Sequence, residues 1–254
     1  MKRQRWNERY ATDAATWPDE PCPVVVAAAE AIAADAAAPG DGSEGARAAG
    51  SGAAAPDATR AAGTRPAGDA SPTAAGSGST ARRAVDLACG TGRNARYLAR
   101  HGWDVTAVDF AEEGIAYGRR VAEEAGLTIT WQVADLLTWQ PQGAPYDLVC
   151  ICYLHLPWSE METVIRSAWS AVAPGGRMAI VGHDLTNLEH GTGGPQHPDV
   201  LYVPGQITAL LREISGKAVH IVREEQSRYE VDHGEAAGTG AEQIDCVVVA
   251  ERPE

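Results

Sequence analysis

The chain has 254 residues, 44% of them hydrophobic, which is enough for one large domain or two small ones around a packed core. Its formal net charge of −13 argues against a nucleic-acid backbone as the main partner, because phosphate binding needs a basic surface. No apolar run is long enough to span a membrane, and none follows the basic start Met1 to Tyr10 as a signal peptide requires, so a cytoplasmic location is expected.

Arg5-Trp6-Asn7-Glu8-Arg9-Tyr10 is an aromatic and charged head. Trp17 follows, then Pro18, Pro21 and Pro23, which interrupt any helix. The Ala-rich run from Val24 to Ala38 favours a helix, so residues 1–38 read as an N-terminal cap segment with one helix. Residues 39–80 hold Gly, Ala, Ser, Thr, Pro and Asp with scattered Arg, and no aliphatic side chain larger than Ala. Such a stretch cannot bury enough apolar area to offset its chain entropy, and it reads as a disordered insertion.

Residues 81–254 read as one domain of alternating strands and helices. Val85 to Ala88 is a short apolar strand holding a single acid, Asp86, and Cys89-Gly90-Thr91-Gly92 is a turn. From Arg93 the pattern is helical, with Ala95, Leu98 and Ala99 on one face and Gly102 as the stop. Asp104 to Asp109 is a strand, Ala111 to Ala125 a helix stopped by Gly126, and Thr128 to Val133 a third strand. Tyr146 to Cys152 is a strongly apolar strand. A helix follows from Ser159 to Val172, with Ser159 and Glu162 as a capping box. Pro174-Gly175-Gly176 turns the chain into a strand from Arg177 to Gly182, and Asp184 to Asp199 is a long polar loop. Pro204 to Ile214 is a helix opened by proline. The last two strands run from Ala218 to Arg223, or as far as Val231, and from Ile244 to Ala250. The alternation implies a mostly parallel sheet with helices on both faces. The final pair has no helix between its members and should pair antiparallel. The five cysteines, Cys22, Cys89, Cys150, Cys152 and Cys246, are odd in number and mostly within these apolar stretches, as buried thiols in a reducing compartment would be.

A strand running through a glycine turn into a helix gathers free N–H groups and the positive end of the helix dipole at one point. Gly90-Thr91-Gly92-Arg93-Asn94-Ala95 satisfies the G-x-G-x-x-A dinucleotide fingerprint, so a nicotinamide-dependent oxidoreductase is one reading. Asp86 argues against it, since a carboxylate beside a pyrophosphate is repelled, whereas an acid suits a ligand bearing an ammonium or sulfonium group. Asp86-Leu87-Ala88-Cys89-Gly90-Thr91-Gly92 resembles motif I of the class I S-adenosylmethionine (SAM) methyltransferases. Pro174-Gly175-Gly176 before a strand is also typical of that family. Trp6, Tyr10, His183-Asp184 and Gly193-Gly194-Pro195-Gln196 resemble a group of small bacterial methyltransferases that includes the tellurite-resistance enzymes.

The resemblance implies a Rossmann-like seven-stranded α/β sheet with a C-terminal antiparallel hairpin. It implies SAM as cofactor, held by Asp86, Ala88, Cys89, Gly90, Gly92, Asp109, Phe110, Ala134, Asp135, Leu136 and Cys152. Asp109 would accept the ribose hydroxyls or else cap the following helix, and Asp135 would face the adenine amino group or else form a turn. Asp86 would touch the methionine moiety or order the loop N–H groups. Trp6, Tyr10 and Trp17 would form a lid or simply pack on the domain. Methyl transfer to a small-molecule acceptor is an in-line displacement that positioning and exclusion of water accelerate. His155 and His183 are candidate bases, and Tyr153 and Trp158 candidate walls of the acceptor pocket. Cys150 and Cys152 share one strand face, as soft-acceptor thiolates or as small core residues. A non-catalytic SAM-binding protein is the third reading.

Deleting Gly40 to Ser79 removes no large apolar side chain and should shift the thermal midpoint by no more than a few degrees. A large fall on calorimetry would show that the segment is packed.

Overall fold

The computed structural model describes residues 2–14, 18–37, 81–216, 218–231 and 239–254. The expectations for Trp17 and for residues 39–80 lie outside the described residues.

Small and β-branched residues dominate the central strands, as strands covered on both faces require. β1 (Arg83–Leu87), β2 (Asp104–Asp109), β3 (Thr130–Val133), β4 (Tyr146–Cys152) and β5 (Val172–His183) run parallel, while β6 (His220–Glu230) and β7 (Glu242–Glu251) pair antiparallel. The seven strands lie in the order β3-β2-β1-β4-β5-β7-β6, with β7 antiparallel to β5 as well. Sheet order reverses between β1 and β4, so their carboxyl ends open a crevice at the switch point, where open α/β sheets bind ligands.

The helices are α1 (Lys2–Asp13), α2 (Pro23–Ala37), α3 (Arg93–Arg100), α4 (Glu112–Glu124), α5 (Trp158–Ser170), α6 (Asn187–His190) and α7 (Pro204–Ile214). The two-residue period of the strands divides their side chains between two core layers. Ala84, Leu148, Cys150, Ala179 and Val247 meet Val25 and Ala29 of α2, Ala95 and Leu98 of α3 and Ile115 of α4. Val85, Val149, Ile151, Met178 and Val248 meet Met161, Ile165 and Trp169 of α5 and Ile207 and Leu211 of α7. Although α2 precedes the insertion in sequence, it supplies buried side chains to the first layer.

Several boundaries differ from the sequence expectation. The aromatic head is a helix, α1. Trp6 and Tyr10, four apart, stack with ring centroids 5.5 Å apart, and Gln4 donates to Glu8 at 3.1 Å. α5 begins at Trp158 after Pro157, and Ser159 caps nothing because it already lies inside the first turn. Pro174-Gly175-Gly176 does not stand before the strand; it loops out inside β5, where the register against β4 shifts between Tyr146 and Leu148. The polar loop 184–199 contains α6 and runs into a short 3-10 turn at Pro198–Val200. Ala88 has φ +58, outside strand geometry, so β1 stops at Leu87. The glycine stops hold: Gly102 and Gly126, both at positive φ, follow α3 and α4.

Ile165 is fully buried between α5 and the sheet. Ile165→Ala should cost about 2–5 kcal/mol, read as a lower urea midpoint at unchanged slope.

Candidate functional site

The turn after β1 is held by groups from two neighbouring elements. Cys89 N–H donates to Val108 O at 3.0 Å, and Gly92 N–H closes the turn on Cys89 O at 2.8 Å. One carboxylate then fixes two chain segments: Asp109 accepts Gly90 N–H at 2.9 Å on Oδ2 and Ala111 N–H at 2.8 Å on Oδ1. Burial raises the Asp109 carboxyl above the usual range, against the pull of these N–H groups. Asp109 thus fixes the chain just before α4 as well as the glycine turn.

Asp86 is fully buried below the turn. Its Oδ2 accepts Ala95 N–H from α3 at 3.2 Å, while Oδ1 is sealed with no hydrogen bond among the described residues. Burial pushes its carboxyl up to about 7, with Asn94 and the Ala95 N–H pulling the other way. Asn94 also accepts Cys22 N–H at 2.8 Å, so the start of α2 hangs on the same helix as the motif. Asp86 is therefore placed to order the start of α3. Gly92, the N-cap of α3, offers no side-chain cap, and within the first turn the Ala95 N–H is taken by Asp86 instead.

The two motif glycines have different neighbours. A Cβ on Gly90 would lie 2.7 Å from the Tyr10 hydroxyl, and one on Gly114 of α4 would lie 3.1 Å from the Tyr10 ring. Tyr10 of α1 therefore sits directly over the turn, where its phenol is raised by burial and by Asp109. A Cβ on Gly92 would lie 2.4 Å from the Trp131 ring of β3, so that face of Gly92 is covered by protein.

At the tip of β3, Ala134 N–H donates to Asp109 O at 2.9 Å. Asp135 makes a turn: Oδ1 accepts Leu137 N–H at 3.0 Å and its carbonyl accepts Thr138 N–H at 3.0 Å. Leu136 is buried, Phe110 and Ala88 are half-buried, and an open groove of about 630 Å³ runs along Gln132, Ala134, Asp135 and Trp139. The Cys152 thiol turns away from this edge, into the layer of α2, where it pairs with the thiol of Cys22. That contact, together with the N–H groups at the start of α2, lowers the Cys22 thiol. Cys150 is sealed in the same layer as a core residue, with its thiol raised by burial.

Beyond β4 the structure gathers a second cluster. Tyr153 has φ +56, a strained conformation for a non-glycine residue, and its hydroxyl donates to Asp245 Oδ2 at 2.7 Å. His183 ends β5 opposite Asp245 in the register, with Nδ1 3.3 Å from Asp245 Oδ1. The rings of His155 and His183 stack at 5.2 Å and 11°. His155 Nδ1 lies 3.2 Å from Val200 O, and burial, then His183, lowers this imidazole to about 4, so it is neutral near pH 7. Tyr202 brackets the loop, donating to Leu156 O at 2.5 Å and accepting Leu156 N–H at 2.8 Å, and its ring meets Trp158 at 5.8 Å. Arg93, at the start of α3, lies over the Tyr153 ring at 5.5 Å and links the cluster to the motif turn. Sequence reasoning missed Asp245. Its signal was a lone acid between Ile244 and Cys246 in an apolar strand.

Residues 84–176 match the family model described as a methyltransferase domain. Over that segment the chain is similar to methyltransferase domains. Among curated proteins it is 35% identical over 103 residues to the demethylmenaquinone methyltransferase of Thermus thermophilus, covering 39% of this chain and 46% of that one. It is 29% identical over 191 residues to the ubiquinone biosynthesis O-methyltransferase of Xylella fastidiosa, covering 68% and 74%. The chain thus spans under half the length of the Thermus relative. Among solved structures, TehB from Haemophilus influenzae superposes with a TM-score of 0.55 at 21% identity, covering 68% of this chain and 58% of that one. This likeness extends the shared fold beyond the matched segment. No helix among the described residues is long and apolar enough to cross a membrane.

In the folded chain Asp86 keeps a proton that an unfolded aspartate, with a pKa of about 3.9, has lost. Its contribution to stability therefore falls as pH rises from about 4 to about 7. Asp86→Asn should remove that fall. His155 titrates the opposite way in both proteins and cancels in the difference. Denaturant unfolding at pH 4.5 and pH 7.5 should show the variant gaining relative to wild type at the higher pH.

Proposed function

We propose that the protein transfers a methyl group from SAM to a small-molecule acceptor. The observation that carries this reading is the convergence, at one switch point, of the Gly90 turn, the start of α3 and the buried Asp109 carboxylate. The Asp109 carboxylate, an acceptor at the tip of β2, suits the ribose hydroxyls. The start of α3 suits the methionine carboxylate. The groove beside Ala134, Asp135 and Leu136 suits the adenine. Asp86 is assigned to the loop beneath, because its Oδ2 already holds Ala95 N–H.

Bound there, SAM supplies a methyl group activated by its positive sulfur. The chain supplies position and dryness. α1 lays Tyr10 on the turn, with Trp6 stacked behind it, and such a cover excludes water from the crevice. A nicotinamide enzyme would carry its second nucleotide over further parallel strands, whereas here the sheet closes with the antiparallel β6–β7 pair.

Thermal-shift titration tests the reading. SAM and S-adenosylhomocysteine should raise the midpoint and NAD should not, since only a ligand of the native state stabilises it. Asp109→Asn should weaken SAM binding about tenfold by calorimetry, about 1.4 kcal/mol. An unchanged dissociation constant would remove Asp109 from the ribose site.

A further inference from the structure

We propose that His183 takes the proton from a hydroxyl acceptor, with Asp245 and Tyr153 as the positioning residues that make it a base. The inference rests on the methyltransferase reading and names the acceptor class of that same site.

The cluster is built as an oriented pair. Asp245 is fully buried, yet it is satisfied: Tyr153 Oη donates to Oδ2 at 2.7 Å, and Gln243 Nε2 lies 2.9 Å from each carboxylate oxygen. His183 Nδ1 is sealed 3.3 Å from Oδ1, off the line of a hydrogen bond but within ion-pair range. With Asp245 beside that nitrogen, we assign the ring hydrogen to Nδ1 and the lone pair to Nε2. Nε2 makes no hydrogen bond with any described residue, and the neighbouring chain at Gly194 is stripped to backbone, since a Cβ there would lie 2.7 Å from it. A buried carboxylate on one imidazole nitrogen and an unengaged second nitrogen is the arrangement that lets histidine receive a proton and bear the resulting charge. The other groups facing the ring are Tyr153 at 5.4 Å and His155 at 5.2 Å between centroids, and His155 is neutral and adds no competing charge.

The acceptor class follows from what a base is needed for. A neutral amine has its lone pair ready, and a thiol ionises at about 8.5, but a phenol holds its proton to about 10. Half-buried Trp158, beside Tyr202 at 5.8 Å, suits an aromatic acceptor, while His155 is already stacked between His183 and Tyr202. The hydroxyl O–H bond breaks and its proton passes to Nε2. The oxygen electron pair forms the new bond to the methyl carbon, and the pair of the broken carbon–sulfur bond stays on sulfur. The imidazolium is held against Asp245 and later gives the proton to water.

The first test needs no SAM. 4-Nitrophenol, which changes colour on ionisation, is titrated into the full chain at a pH where the free compound is neutral. Wild type should bind it with the phenolate band. His183→Gln should bind it neutral, and Asp245→Asn should do the same or lie between. Tyr153→Phe should keep partial phenolate character, and it substitutes for Asp245→Asn if that variant does not fold. No binding to wild type, neutral binding to wild type, or an unchanged phenolate band in His183→Gln overturns the proposal. In a second test with labelled SAM and paired phenol and aniline probes, wild type should methylate oxygen. His183→Gln should lose about 10²-fold or more in kcat with little change in KM. Methylation of the aniline alone overturns the assignment. SAM binding measured separately keeps the two readings apart: failure to bind SAM sinks the methyltransferase reading, whereas normal SAM binding with a neutral nitrophenol sinks this one.

Discussion

The site depends on one carboxylate doing two structural tasks. Asp109 receives the N–H of Gly90 from the turn after β1 and that of Ala111 before α4. Each buried N–H would otherwise cost roughly 1–3 kcal/mol. The bond fixes the glycine turn relative to the tip of β2, and Ala134 N–H on Asp109 O fixes the tip of β3 to the same residue. Three strand tips are thereby set in register around one acid, and the crevice above them has its shape before any ligand arrives.

Strain is concentrated at the same edge. Ala88 and Tyr153, the residues that follow β1 and β4, are the two non-glycine residues at positive φ among those described. They flank the switch point from either side. Each turns its chain sharply away from the sheet, one into the motif turn and the other toward Asp245. Arg93 spans the gap by covering the Tyr153 ring. The motif turn and the Tyr153–Asp245 cluster are therefore joined by a direct side-chain contact.

The sequence made the sheet and the motif legible because both rest on local pattern. Asp86, Gly90 and Asp109 stand at strand tips that periodicity alone locates, and the lack of a helix between the last two strands foretold their antiparallel pairing. What stayed hidden depends on pairs distant in sequence. The partners of Asp245 lie 92 residues away at Tyr153 and in β5 at His183, so its role needed the register of β5 on β7. Tyr10 needed the path of α1 over Gly90, which no spacing within the first residues reports. The packing of Cys152 against Cys22 stayed hidden because strand parity says which two faces exist, not which helix covers each. The capping box at Ser159 failed because Pro157 had already fixed the helix start.

Asn94 binds Cys22 N–H, and α2 buries Val24 and Val25 in the layer beneath the motif helix. The first helical element of the core is thus separated in sequence from every strand it covers by the whole stretch 38–80. The molecule is therefore organised as a natural split protein: cut between Ala37 and Ala81, its two pieces would retain the complementary surfaces needed to find each other again.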